Sequence, residues 1–199
     1  MRVLIVTDIF GVTASVLSLA NALMAERAHV EVVDPYDGKE KSFSHEQSAY
    51  DAFLANCGHD SYFRKVQDAI SSSLEELVII GFSAGASAAW RNMESDWQSN
   101  ILHFVGFYPG QIRYHLHITP KYPCTIVFPN REEHFDVNDV SGILNEIDNV
   151  QCIITDYGHG FMNPLSHQYS SIGAGAFNKV INQASKLADV ATLRRLLQR

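Results

Sequence analysis

Three short stretches hold the residues whose types and spacing fit chemistry. Ser83 lies in Gly81-Phe82-Ser83-Ala84-Gly85, a G-x-S-x-G. His159 lies in "DYGHGFMNP", flanked by Gly158 and Gly160. Between them, "FPNREEHFDV" (residues 128–137) offers Glu132, Glu133 and Asp136. A serine hydroxyl at its ordinary pKa is a weak nucleophile; it needs a base, and the base needs a group to orient it. Serine, acid, histidine is one of the chain orders in which such a set occurs. The chemistry would be attack on a carbonyl carbon, with His159 taking the serine proton. Spacing alone does not choose among the three carboxylates. An oxyanion formed by that attack needs donors, each worth about 3 kcal/mol in the transition state. The Ala84 N–H directly follows the nucleophile, and the loop "TDIFGVT" (residues 7–13) is placed to supply the Ile9 N–H.

These residues need elements to hold them. G-x-S-x-G carries weight only where a strand precedes it and a helix follows. Residues 77–80, "LVII", form a short apolar run, and residues 84–97 carry a helical pattern. A sharp turn between them strains the serine backbone and leaves no room for side chains two residues away on either side. A Gly/Ala-rich helix start chosen only for close packing would show the same small residues. His159 by itself would be an ordinary loop histidine; its place after the last strand, downstream of the serine turn, makes it the candidate base.

Further strands are predicted at residues 2–7, 29–33, 101–108, 123–128 and 151–155, and helices at 12–27, 62–71, 137–147 and 168–187. Residues 34–60 are irregular and polar, with a helix near 45–55, and residues 188–199 form a short basic amphipathic tail. Strands alternating with helices predict an α/β fold: a three-layer sandwich with a mostly parallel sheet of about six strands and helices on both faces. Ligands of such sheets sit at the carboxyl ends of the strands. The loops after Thr7, Ile80, Tyr108, Phe128 and Thr155 are therefore the ones to search.

Composition narrows the partners. The chain has 199 residues, 46% of them hydrophobic, which suits one domain over 1–199 with a full core. Its formal net charge of -7, without a basic stripe, argues against nucleic acid and against anionic membrane surfaces. No apolar run reaches the roughly 18 residues of a membrane span. Cys57, Cys124 and Cys152 are odd in number and lack a CxxC spacing, which points to free thiols in a reducing, cytoplasmic setting. The opening "RVLIVT" is strand-like, with no leader pattern. His115 and His117 share one face of an extended segment, but no third metal ligand is obvious nearby. The expected partner is a small-molecule substrate, with no cofactor and no metal. Phe10, Phe82, Tyr108 and Phe161 are candidates to line its pocket, and Arg113 to hold an acidic substrate group.

Taken together, the motifs resemble the dienelactone hydrolase family of α/β-hydrolases. "DIFGV" is similar to the family's E-I-F-G segment, "IIGFSAGA" to its G-F-C-x-G-G elbow, and "YGHGFMNP" to its Y-x-x-x-H-G-F-x-N segment. The resemblance implies Ser83 as nucleophile and His159 as base. It implies an acid at Glu132 when counted without gaps from Pro123, at Glu133 when anchored on His134-Phe135, with Asp136 third. Four departures stand out. Serine replaces the family's cysteine. The acid is a glutamate rather than an aspartate. Asn163 stands where the lactone enzymes carry an arginine for the substrate carboxylate, which argues against dienelactone itself. The family's leading antiparallel strands have no counterpart before residue 2. Asp8 takes the place of the E-I-F-G glutamate, one methylene shorter, and is expected to hydrogen-bond the Ser83 hydroxyl or to hold its loop.

The implied activity is cleavage of a small ester, thioester or lactone through an acyl-enzyme. Acyl transfer to an alcohol or amine is a variant of it. The alternative is a binding or sensing protein of the same fold that keeps the elbow without efficient chemistry. No long insertion is present to form a lid, so a shallow pocket and a small acyl group are expected.

Overall fold

The computed structural model describes residues 1–98 and 100–197. Strands β1 (Arg2–Val6), β2 (His29–Val33), β3 (Leu77–Phe82), β4 (Ile101–Phe107), β5 (Cys124–Phe128) and β6 (Val150–Ile154) form one sheet in the order β2-β1-β3-β4-β5-β6. Every neighbouring pair is parallel. The sheet is thus wholly parallel, where the sequence predicted a mostly parallel one. β3 and β5 are buried along their full lengths, which is why they read as continuous apolar runs rather than as alternating ones.

Side chains alternate between two helical layers. Leu4, Val6, Leu77, Ile79, Ile126 and Phe128 pack under α2 (Glu46–Asn56), α3 (Gly58–Ser71), α4 (Ala84–Trp90) and α5 (Val137–Asn145). Val3, Ile5, Val78, Ile80, Val105 and Val127 face α1 (Ala14–Ala25), α6 (Ser171–Ile181) and α8 (Val190–Leu197). A one-residue slip of any central strand would exchange these two sets, so packing fixes the register. The chain leaves β1 for β2 on one side and then returns to build β3 through β6 on the other. The strand order reverses between β1 and β3, which opens a crevice at their carboxyl ends.

Three segments differ from the sequence reading. The helix expected over residues 84–97 ends at Trp90. Buried Asn92 turns back there: its Nδ2 donates to the Ala88 carbonyl at 3.0 Å, and its own carbonyl accepts from Trp97 Nε1 at 2.9 Å. The helix expected over 168–187 is divided into α6 and α7 (Ala184–Ala188). The basic tail folds as α8, with Leu193 and Leu197 buried, while its last two residues, 198 and 199, lie outside the described residues. Cys57, Cys124 and Cys152 are free. Among the described residues no helix is long and apolar enough to cross a membrane.

Candidate active site

Ser83 occupies the turn between β3 and α4 with φ 48° and ψ −112°. For a residue with a side chain this conformation costs on the order of 1–3 kcal/mol and must be held from outside. The Ser83 N–H donates to the Phe107 carbonyl at 2.9 Å, and the Ser87 hydroxyl donates to the Ser83 carbonyl at 3.1 Å. The glycines of the motif have steric reasons. A Cβ on Gly81 would lie 2.6 Å from Ala86 Cα. A Cβ on Gly85 would lie 2.6 Å from the Val6 carbonyl oxygen and closer still to that of Thr7. α4 therefore presses directly against β1 and β3, and this fixes the direction of the serine.

The loops after β5 and β6 bring the other two groups to it. Ser83 Oγ and His159 Nε2 are 2.9 Å apart, and His159 Nδ1 and Glu132 Oε1 are 2.7 Å apart. A carboxylate facing Nδ1 requires the proton there, so Nε2 accepts from the serine hydroxyl. The Glu132 side chain is only 10% exposed, against 32% for His159. The Asn130 N–H donates to the Tyr157 carbonyl at 2.7 Å and joins the two loops, and the Tyr108 ring packs against the imidazole in a tilted arrangement, centroids 5.2 Å apart. Glu133 and Asp136 do not meet the imidazole. Glu133 is exposed at the rim, and Asp136 caps α5, accepting from the Asn138 N–H at 2.7 Å.

Ile9 and Ala84 both line the cleft, and no group among the described residues accepts from the N–H of either. The Tyr36 hydroxyl donates to the Ile9 carbonyl at 2.7 Å and anchors that peptide from behind. Asp8 makes no hydrogen bond to Ser83. Its Oδ1 accepts from the Phe10 N–H at 2.9 Å and its Oδ2 from Asn163 Nδ2 at 2.6 Å. Of the two roles expected for Asp8, the structure provides the loop contact and no bond to Ser83. Burial pushes its pKa up to about 6, against the pull of those two bonds and of His159 nearby.

The cleft over Ser83 has a volume of about 400 Å³. Its walls are more polar than expected: Gln47, His59, Gln111, Arg131, His134 and Gln168 contribute to them. None of the four predicted aromatic side chains lines it. Phe82 and Tyr108 border a separate cavity of about 40 Å³ beside Asp8, Phe161 is core, and Phe10 packs on Phe43. They are apolar residues next to the site sequence, and burial took them inward. Arg113 does line the cleft, with its guanidinium over the Tyr114 ring at 4.3 Å and bonded to the Gly110 carbonyl. Sequence reasoning missed Glu46, at the start of α2, which pairs with His167 across the cleft rim. The two are 121 positions apart, and no local pattern connects them. His115 and His117 lie with ring centroids 6.2 Å apart, and no group of three metal-ligating side chains occurs among the described residues.

With this geometry in place, comparison with known proteins is decisive at the family level. A match to the dienelactone hydrolase family runs over residues 1–187. The chain belongs to the dienelactone hydrolase family. Membership places it among hydrolases. A relative within reach of sequence comparison is YczH of Bacillus subtilis (strain 168), 26% identical over 170 residues, 82% of each chain. Among solved structures, a dienelactone hydrolase-like promiscuous phosphotriesterase from metagenomic libraries matches with TM-score 0.65 and 14% identity, covering 98% of this chain and 86% of that one. Est1E from Butyrivibrio proteoclasticus, with ferulic acid bound, matches with TM-score 0.58 and 11% identity, covering 98% and 90%. At these identities the dienelactone hydrolase family member shares their α/β-hydrolase fold.

Proposed function

We propose that this protein is a serine hydrolase that cleaves small esters, thioesters or lactones through a covalent acyl-enzyme. The observation that carries the reading is the unbroken chain from Ser83 Oγ through His159 to Glu132, at 2.9 and 2.7 Å. Ser83 Oγ bonds to the carbonyl carbon while its proton passes to His159 Nε2. The Ile9 and Ala84 N–H groups hold the oxygen that gains charge. As the tetrahedral centre collapses, the bond to the leaving group breaks, and that group takes the proton from His159. Water then attacks the acyl carbon, gives a proton to His159, and the proton returns to Ser83 as the acid departs. Glu132 keeps the Nδ1 proton in place and stabilises the imidazolium formed in each half. Serine fits this scheme better than the family's cysteine, because Asp8 is bonded elsewhere and leaves activation to His159.

The polar side chains among the cleft's lining, such as Gln47, Gln111 and Arg131, offer hydrogen bonds to a short acyl group, and its open rim leaves water free to reach the acyl-enzyme. Fluorophosphonate labelling, read by mass spectrometry, tests the nucleophile. A single adduct on Ser83, lost in Ser83→Ala, is expected. No adduct on the folded protein would overturn the reading and leave a binding protein of the same fold. A screen of ester chain lengths, thioesters and lactones then defines the substrate class. Activity that rises with alkyl length would contradict the polar-substrate part.

A further inference from the structure

The proposed chemistry uses no part of Asp8, a buried carboxyl close enough to His159 to interact with it electrostatically. Asp8 is 7% exposed and Asn163 5% exposed. They stand 155 positions apart and meet at 2.6 Å. Each is wired into the loop that carries it. Asp8 holds the Phe10 N–H with its side chain, and its carbonyl accepts the Gly11 N–H at 3.2 Å, closing the turn that presents the Ile9 peptide. Asn163 donates its own N–H to the Gly160 carbonyl at 2.9 Å and accepts the Leu165 N–H on Oδ1 at 2.9 Å, four residues beyond His159. We propose that Asp8 and Asn163 are positioning residues: a buried clasp that locks the oxyanion loop to the histidine loop, so that Ile9 and His159 address the same point above Ser83. The proposal rests on the serine-hydrolase reading of that site.

Two features favour a clasp over simple core packing. A buried ionised carboxyl is a poor stabiliser, and apolar groups of similar size often serve a core better. What apolar groups lack is direction, and here two loops leave strands that are not neighbours, β1 and β6. The bond pattern also defines the form of the clasp. Both partners of the carboxyl are donors, so the ionised form satisfies both and strengthens both bonds. A misplacement of about 1 Å between oxyanion donor and base can cost about 100-fold in rate. The clasp acts on rate rather than on affinity, since neither side chain lines the cleft.

The test exchanges the two groups. Asp8→Asn and Asn163→Asp are made singly and together, with Asn163→Ala as a further single variant should the others fold poorly. kcat and KM for a short ester, fluorophosphonate labelling of Ser83 and urea unfolding are measured on each. Each single change is expected to lower kcat by about 10- to 100-fold with KM little changed. Asp8→Asn combined with Asn163→Asp should recover most of kcat, because the amide at position 8 then donates to the carboxylate at 163 while the Phe10 and Leu165 N–H groups keep their acceptors. An exchange as slow as Asp8→Asn alone would overturn the clasp and make the charge at position 8 itself the active element. Single variants that lose stability but keep kcat would overturn it in favour of a packing role. Wild-type protein that never labels at Ser83 would instead defeat the catalytic reading itself, a failure distinct from either of these.

Discussion

Two histidines of this fold make nearly the same hydrogen bonds at opposite ends of the sheet. His159 Nε2 meets the Ser83 hydroxyl at 2.9 Å, and its Nδ1 meets Glu132 at 2.7 Å. His103 Nε2 meets the Thr125 hydroxyl at 2.8 Å, and its Nδ1 meets the Leu187 carbonyl at 3.3 Å. In both, an oxygen at Nδ1 fixes the proton there and leaves Nε2 to accept from the hydroxyl. The surroundings separate them. Thr125 sits in regular β5, is fully buried, and also accepts from Arg194 Nε at 3.2 Å. Ser83 sits in a strained turn, under an open cleft, with unengaged N–H groups beside it. His159 has a carboxylate behind it, so an imidazolium formed there is stabilised. His103 has a neutral carbonyl, and burial, reinforced by Arg194, pushes its pKa down to about 4. A hydroxyl–imidazole bond alone therefore does not distinguish the two sites. The carboxylate, the strained turn and the unengaged N–H groups are found only at Ser83, and they are what the proposed chemistry would use.

The largest effect should follow from Ser83→Ala. Removing the nucleophile of a serine hydrolase costs on the order of 10,000-fold or more in kcat, with stability nearly unchanged. Steady-state turnover of a short p-nitrophenyl ester measures it. Residual turnover within tenfold of wild type would put the two hydroxyl–histidine pairs on the same footing.

The next effect sharpens the role of the third partner. Glu132→Gln keeps the shape but replaces the carboxylate with a neutral group, which brings His159 closer to the situation of His103. Loss of about 1,000-fold in kcat is expected, with fluorophosphonate labelling slowed in parallel. A variant as fast as wild type would show that Glu132 merely packs against the ring.

How far the sequence reaches depends on how local each constraint is. The serine turn was legible because the clash that demands Gly81 and Gly85 lies within a few residues of Ser83 or on the adjoining strand. The inner strands were legible because parallel strands buried on both faces are almost wholly apolar, and the edge strands β2 and β6 because they are rich in Val and Ile. The carboxylate was less so: residue types alone do not separate Glu132, Glu133 and Asp136 within one loop, and it was the family resemblance, counted from Pro123, that put Glu132 first, the one that meets His159. The Asn92 turn that ends α4 and the Glu46–His167 pair depend on contacts formed after folding. The polar cleft was missed for a similar reason. Aromatic residues near the site in sequence are drawn into the core, and their places are taken by side chains from α2 and the loop after β4.

Acid stability provides a third contrast, between Asp8 and His103. The pKa of Asp8 is raised in the folded chain from 3.8 to about 6, so the folded form is penalised above pH 6 and relieved as pH falls toward 4. The pKa of His103 is depressed from 6.5 to about 4, so its contribution is present above pH 6.5 and lost as pH falls through that window. At 1.36 kcal/mol per pKa unit, each amounts to about 3 kcal/mol, with opposite sign. The two largely offset each other in the wild type. Asp8→Asn should uncover the histidine and steepen the loss of stability between pH 7 and pH 4.5 by about 2 kcal/mol, whereas His103→Gln should flatten it by a similar amount. Urea unfolding at the two pH values gives both slopes. Parallel profiles for all three proteins would refute the assignment.

The smallest effect completes the pairing of hydroxyls. Thr125→Val is close in shape to the wild type but leaves His103 Nε2 and Arg194 Nε without the oxygen between them. Arg194 retains the Cys124 and Asn149 carbonyls, at 2.9 and 3.1 Å, so α8 stays docked. The expected cost is about 1–3 kcal/mol, that of burying unsatisfied polar groups. It should appear as a lower urea midpoint at unchanged slope. kcat should not move, because Thr125 lies near the amino end of β5 and the reacting groups stand beyond the carboxyl ends. A loss of turnover without a loss of stability would mean that the two ends of the sheet are coupled, and that the His103 pair is more than an anchor for the last helix.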